Sequence, residues 1–68
     1  MNKYQVYLTT NETIYLEADE FIANYEYGIV RFWKDNYNNT VAIFVFSNIF
    51  GFEKVDEFDD EEANNETN

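Results

Sequence analysis

The 68-residue chain has no cysteine, no histidine and a single serine, Ser47. Without cysteine there are no disulfide staples, and without Cys or His the ordinary zinc sites are excluded. Nucleophilic catalysis lacks its usual parts too. Ser47 has no imidazole to activate it, and nothing in the sequence sets Lys34 or Lys54 beside it as a substitute base. Gly28 and Gly51 are the only glycines, so neither a P-loop nor a G-x-G-x-x-G phosphate cradle can be built. Carboxylate neighbours such as Asp19 and Glu20 suit an exposed, solvated loop better than acid–base work. These absences point away from an enzyme, and no cofactor or metal site is expected.

Positive charge is scarce as well. Four Lys and Arg stand against fourteen Asp and Glu, a formal net charge of −10. The excess is uneven: residues 1–52 carry a net −3, whereas residues 53–68 carry −7. DNA and anionic lipid both select basic surfaces, so direct contact with nucleic acid or membrane is disfavoured. A protein partner with a basic surface is the natural complement. No apolar run approaches the ~20 residues that span a bilayer. Met1-Asn2-Lys3-Tyr4 leads into alternating residues with no apolar leader core. The expected location is therefore the cytoplasm, and the sequons at Asn11, Asn38 and Asn65 read as by-products of an Asn-rich chain.

What is abundant is aromatic. Fourteen residues are Phe, Tyr or Trp, and each buried ring removes roughly 150–250 Å² from water. A chain this short forms one domain at most and must be held by packing. Its dominant period is two, the period of strands. Tyr4, Val6 and Leu8 share one face of the first run, and Gln5, Tyr7 and Thr9 the other. Thr13–Ala18 alternates again with Ile14, Leu16 and Ala18 inward, which makes a hairpin across Thr10-Asn11-Glu12. Asp19–Asn24 fits a short strand or a capped helical turn, and the extended form is preferred because Phe21-Ile22 is too short to pack a helix. Tyr25–Gly28 is a turn. Ile29–Lys34 is a strand with Val30 and Phe32 opposed to Arg31 and Trp33, followed by an Asp- and Asn-rich loop. Thr40–Phe46 is apolar on both parities, the pattern of a strand covered on both sides. One 3₁₀ turn over Ser47–Phe50 and a last strand, Gly51–Val55, complete the body.

The expected fold is therefore all-β: five or six short antiparallel strands in residues 1–55, arranged as an SH3-like, half-closed barrel. A two-layer meander, or a sheet that dimerises through one face, is the alternative. Residues 56–68 are acidic and Asn-rich, with Phe58 and Ala63 the only apolar side chains, and are expected to be a disordered tail.

Two segments, YQVYLTTNETIYLEADEF and GIVRFWKDN…TVAIFVFSNIFGFEKV, resemble small acidic all-β proteins of phages and mobile elements of Gram-positive bacteria. The resemblance covers Tyr4 to Val55 and rests on hairpin spacing, the EAD after the second strand and the closing SNIFGFEKV. It implies an accessory factor acting in the host cytoplasm, of the kind that mimics DNA or inhibits host defence enzymes. It carries no catalytic or ligand-binding residue.

Two candidate partner-binding surfaces follow. Asp56, Glu57, Asp59, Asp60, Glu61 and Glu62 put six carboxylates in seven positions, a density comparable to duplex DNA with one charge per ~1.7 Å. They lack the glycine and ligand spacing of an EF-hand loop. Tyr7, Tyr15 and Trp33, off the core face, are expected to gather beside Arg31 and Glu17 as an exposed patch of hot-spot residue types. The alternative is a second small core, covered by Phe50, Phe52 or the Tyr25–Tyr27 loop. Together the acidic and aromatic surfaces suggest binding and inhibition of a host protein, such as a nucleic-acid-binding or defence enzyme; an aromatic face that forms a homo-oligomer is the competing reading.

Overall fold

The computed structural model describes residues 1–58. Six strands follow one another: β1 (Asn2–Leu8), β2 (Thr13–Ala18), β3 (Glu20–Asn24), β4 (Ile29–Lys34), β5 (Asn39–Val45) and β6 (Ile49–Val55). A single 3₁₀ turn, Phe46–Asn48, separates the last two. β-Branched and aromatic residues fill these runs, and such side chains pack well on a pleated surface. The hairpin ends coincide with turn chemistry. Asn11 (φ 73°) and Gly28 (φ 70°) take the left-handed backbone that closes the first two hairpins, a conformation that Asn and Gly accept cheaply. The Gly28 N–H donates to the Asn24 carbonyl at 2.8 Å.

The strands form two three-stranded antiparallel sheets, sheet A in the order β2-β1-β6 and sheet B in the order β3-β4-β5. The chain passes from the edge of sheet A to the edge of sheet B through Asp19 alone. Two bonds hold that corner: the Asp19 N–H donates to the Trp33 carbonyl at 2.9 Å, and the Asn2 side-chain amide donates to the Asp19 carbonyl at 2.9 Å. At the opposite corner the Phe46 N–H donates to the Gly28 carbonyl at 2.7 Å, and the Thr9 N–H to the Asn48 carbonyl at 2.9 Å. The sheets do not close into a continuous barrel, because β2, β6, β3 and β5 remain edge strands.

Between the sheets lies the core of Tyr4, Val6, Leu16, Ala18, Val30 and Phe32. Phe32 is its hub. Its ring centroid lies 5.0 Å from Tyr4, 5.2 Å from Phe52 and 6.0 Å from both Phe21 and Phe44, all tilted or edge-on. Such edge-on aromatic pairs add about 0.5–1.5 kcal/mol each beyond their buried area. Leu8 is only partly buried against this cluster, and Ile14, on the core-facing parity, is 37% exposed. Both border a groove that Ile43, Phe44 and Val45 line from sheet B.

One expectation is overturned by the strand order. β5 is not covered on both sides: it is an edge strand, and Val41, Ile43 and Val45 stand exposed. Only Ala42 and Phe44, its alternate residues, pack toward the core. Its apolar residues on both parities reflect one buried face and one bare face.

Candidate functional site

The register defines both outer faces residue by residue. On sheet A the rows are Glu17–Lys3–Val55, Tyr15–Gln5–Glu53 and Thr13–Tyr7–Gly51. On sheet B they are Glu20–Trp33–Thr40, Ile22–Arg31–Ile43 and Asn24–Ile29–Val45. Tyr7 and Tyr15 therefore lie on one sheet and Arg31 and Trp33 on the other. The expected gathering of Tyr7, Tyr15 and Trp33 beside Arg31 and Glu17 does not occur. Parity sends all of these side chains away from the core, but two stacked sheets have two outer faces turned in opposite directions.

Sheet A's outer face is polar and self-satisfied. Gln5, at its centre, is 1% exposed. Its amide donates to the Tyr7 hydroxyl at 2.9 Å, and that hydroxyl in turn donates to the Glu53 carboxylate. Phe58 lies over the neighbouring row, edge-on to Tyr15 at 5.5 Å and 5.4 Å from the Lys3 ammonium. Tyr15 thus has a cover, supplied by Phe58 in place of Phe50, Phe52 or the Tyr25–Tyr27 loop. Phe50 is 74% exposed, Phe52 packs on Phe32, and Tyr25 leans on Phe46 at 5.6 Å. Asp56 and Glu57 are exposed beside Phe58. Asp59, Asp60, Glu61 and Glu62 lie outside the described residues.

Sheet B's outer face is apolar and bare. Ile22, Ile43 and Val45 are exposed across two adjacent rows, with Ile29 half-buried between them. Arg31 is the one charge in those rows. A groove of about 590 Å³ at the β5 edge is lined by Leu8, Ile14, Ile43, Phe44 and Val45 together with the polar Thr9, Thr10, Glu12 and Asn48.

The Arg31 side chain is held in place. Its Nε donates to the Thr40 hydroxyl at 2.7 Å and its Nη2 to the Tyr37 carbonyl at 2.9 Å. The Tyr37 ring lies 5.8 Å from the guanidinium and stacks on Trp33 at 4.1 Å, 20° from parallel. This arrangement depends on the β4–β5 loop, where Asp35, Asn36 and Tyr37 take φ of 58°, 54° and 73° in succession. Asp and Asn tolerate that region, but a tyrosine there costs roughly 1–2 kcal/mol. The Asp19 carboxylate fixes the loop by accepting from the Asp35 N–H at 2.9 Å, and the Asp35 carboxylate accepts from the Asn39 amide at 2.7 Å. A second cost is found in the same cluster. The Trp33 indole N–H is buried without a hydrogen-bond partner among the described residues, which costs on the order of 1–3 kcal/mol. Reading the sequence alone misses Tyr37, because a loop tyrosine carries no periodic signal.

Among the described residues, no group of three or more Asp, Glu, His or Cys is arranged to hold a metal ion. No helix is long and apolar enough to cross a membrane, again among the described residues. Comparison of the chain with protein-family models, curated proteins and solved structures finds no match.

Proposed function

We propose that the protein is a non-catalytic binding module whose docking surface is the outer face of sheet B. The observation that carries this reading is the exposed apolar block of Ile22, Ile43 and Val45, continuous with Ile29 and the Trp33–Tyr37 stack. Isolated exposed apolar residues are ordinary; a contiguous block marks an interaction surface. Trp, Tyr and Arg, the types that dominate binding hot spots, meet at its border. An SH3-like arrangement is part of this proposal. It is supported by the near-continuous passage from β2 into β3, the 3₁₀ turn before the last strand and the sheet orders β2-β1-β6 and β3-β4-β5.

The resemblance to phage and mobile-element proteins makes a host protein the natural partner. The acidic run Asp56–Glu62 supplies a separate electrostatic attraction toward basic proteins, including those that handle nucleic acid. The two surfaces are separable by experiment. The 68-residue chain, an Ile22→Lys/Ile43→Lys variant and a chain ending at Phe58 are used as baits in a native-host lysate, with quantitative mass spectrometry. A specific partner should be lost with the lysine variant and kept by the shortened chain. The opposite pattern would move the docking surface to the acidic run. Both substituted positions are exposed, so the variant should keep its stability to within about 0.5 kcal/mol.

A further inference from the structure

Arg31 occupies the middle position of the central strand on a face that is otherwise apolar in its row, between Ile22 and Ile43. A guanidinium has five N–H donors in a planar fork. The Thr40 and Tyr37 bonds use Nε and Nη2, the two nitrogens of one edge. The opposite edge, made by Nη1 and the second hydrogen of Nη2, has no partner among the described residues. The acid in the adjacent row of this face, Glu20, stands opposite Trp33 and accepts from the Phe21 N–H at 3.4 Å. Two parallel N–H groups presented together match the two oxygens of a carboxylate.

We infer that Arg31 is the anchor for a carboxylate on the docking partner, received end-on and in bidentate fashion in the middle of the apolar face. The inference rests on the docking reading above and specifies the chemistry of its occupant: a protein segment with apolar side chains flanking one Asp or Glu. Three observations carry it. The guanidinium is immobilised by two hydrogen bonds and the Tyr37 ring, so little side-chain entropy is lost on binding. The cluster that immobilises it retains two local costs, the left-handed Tyr37 and the unpartnered Trp33 N–H, and such costs concentrate where backbone geometry serves binding. The surrounding isoleucines and valine would exclude water from the ion pair, which strengthens it. A second copy of the chain is the poorer occupant. A two-fold contact centred on this face would set Arg31 against Arg31, like charges in a desolvated centre.

The test uses the 68-residue chain and a phage-displayed library of random linear peptides of about 12 residues. Selected peptides should carry one Asp or Glu between apolar residues. For the best peptide, Arg31→Lys should weaken binding at least tenfold by fluorescence polarisation, since an ammonium cannot reproduce the fork. Replacing the peptide's acid by its amide should weaken it to the same extent, and combining the two changes should add little, the mark of a direct pair. Near-UV circular dichroism checks that Arg31→Lys is folded, and the peptide-side change is independent of that check. Peptides without acids, or affinity indifferent to Arg31→Lys, would overturn the anchor. If those same peptides are still lost with Ile22→Lys/Ile43→Lys, the docking face itself stands; if they are not, that reading falls as well. A dimer in analytical ultracentrifugation that Ile43→Lys dissociates would give the face to a second copy and overturn the inference.

Discussion

The two sheets share an architecture and differ in what lies over them. Each has three antiparallel strands, a core-facing side and a long polar residue at the centre of its outer side: Gln5 on sheet A, Arg31 on sheet B. Around Gln5 the chain completes its own surface: the residue is 1% exposed, its amide donates to Tyr7, Tyr7 donates to Glu53, and Phe58 lies against Tyr15 and Lys3. Around Arg31 it does not: two isoleucines and a valine are left in water. A sheet face can be finished with polar residues, with the chain's own segments, or by another molecule. Sheet A uses the first two, and sheet B is suited to the third. The same chain therefore holds a face completed within the fold and one left open, on two sheets of the same antiparallel three-stranded plan.

The largest disturbance is to the shared core, because both faces are mounted on it. Phe32→Ala removes the ring that meets Tyr4, Phe21, Phe44 and Phe52. A buried Phe→Ala change costs about 3–5 kcal/mol. A 68-residue chain without disulfides has little more than that to lose. Urea titration followed by Trp33 fluorescence should find the variant largely unfolded at 25 °C. A stable, cooperatively folding Phe32→Ala protein would mean that the two sheets hold together independently of this hub.

A smaller change separates the faces. Phe58→Ala uncovers Tyr15 and Lys3 on sheet A and should cost about 1–2 kcal/mol, the edge-on ring pair plus part of a buried aromatic side chain. It should leave peptide binding at sheet B unchanged, since Phe58 contacts only sheet A residues in the described interactions. Denaturation midpoints of Phe58→Ala and Ile22→Lys/Ile43→Lys, measured side by side, make the contrast quantitative. The first should lose stability and keep binding; the second should do the reverse. Equal losses of stability would erase the distinction between a finished face and an open one.

Strand placement was readable at the level of single residues in places: Thr13–Ala18 and Ile29–Lys34 are strands with the bounds that alternation predicts. The 3₁₀ turn falls one residue before its expected start, at Phe46. β3 is extended, in keeping with an apolar pair too short for a helix. What alternation does not encode is which sheet a strand joins. Tyr7 and Trp33 are both off the core face, yet they end on opposite sides of the molecule, because hairpin periodicity is local and sheet pairing is not. Apolarity has the same limit. In β5 the residues Val41, Ile43 and Val45 look like buried residues, since the preference for a covered environment reads alike whether the cover is the fold or a partner. Phe58 was visible only as an apolar residue in an acidic run, and its contact with Tyr15 depends on a long-range path that no local pattern specifies.

The smallest expected effect on stability is also the one that bears most directly on why sheet B is open. Tyr37→Gly removes a ring that stacks on Trp33 and covers Arg31, a loss of about 0.5–1.5 kcal/mol for the aromatic pair. It also replaces a tyrosine at φ 73° with the residue that favours that backbone, recovering about 1–2 kcal/mol. The two terms oppose each other, so the net change should run from a loss of about 0.5 to a gain of about 1.5 kcal/mol. If the tyrosine is present to hold Arg31 in register for a carboxylate, the same substitution should still weaken binding of an acidic peptide severalfold, although Arg31 itself is untouched. A stability loss above about 1.5 kcal/mol would show that the stack holds the hairpin together and that its cost is recovered in folding. Unchanged or raised stability with weakened binding would place the benefit of that strained loop on the open face, where the chain leaves its surface for another molecule to complete.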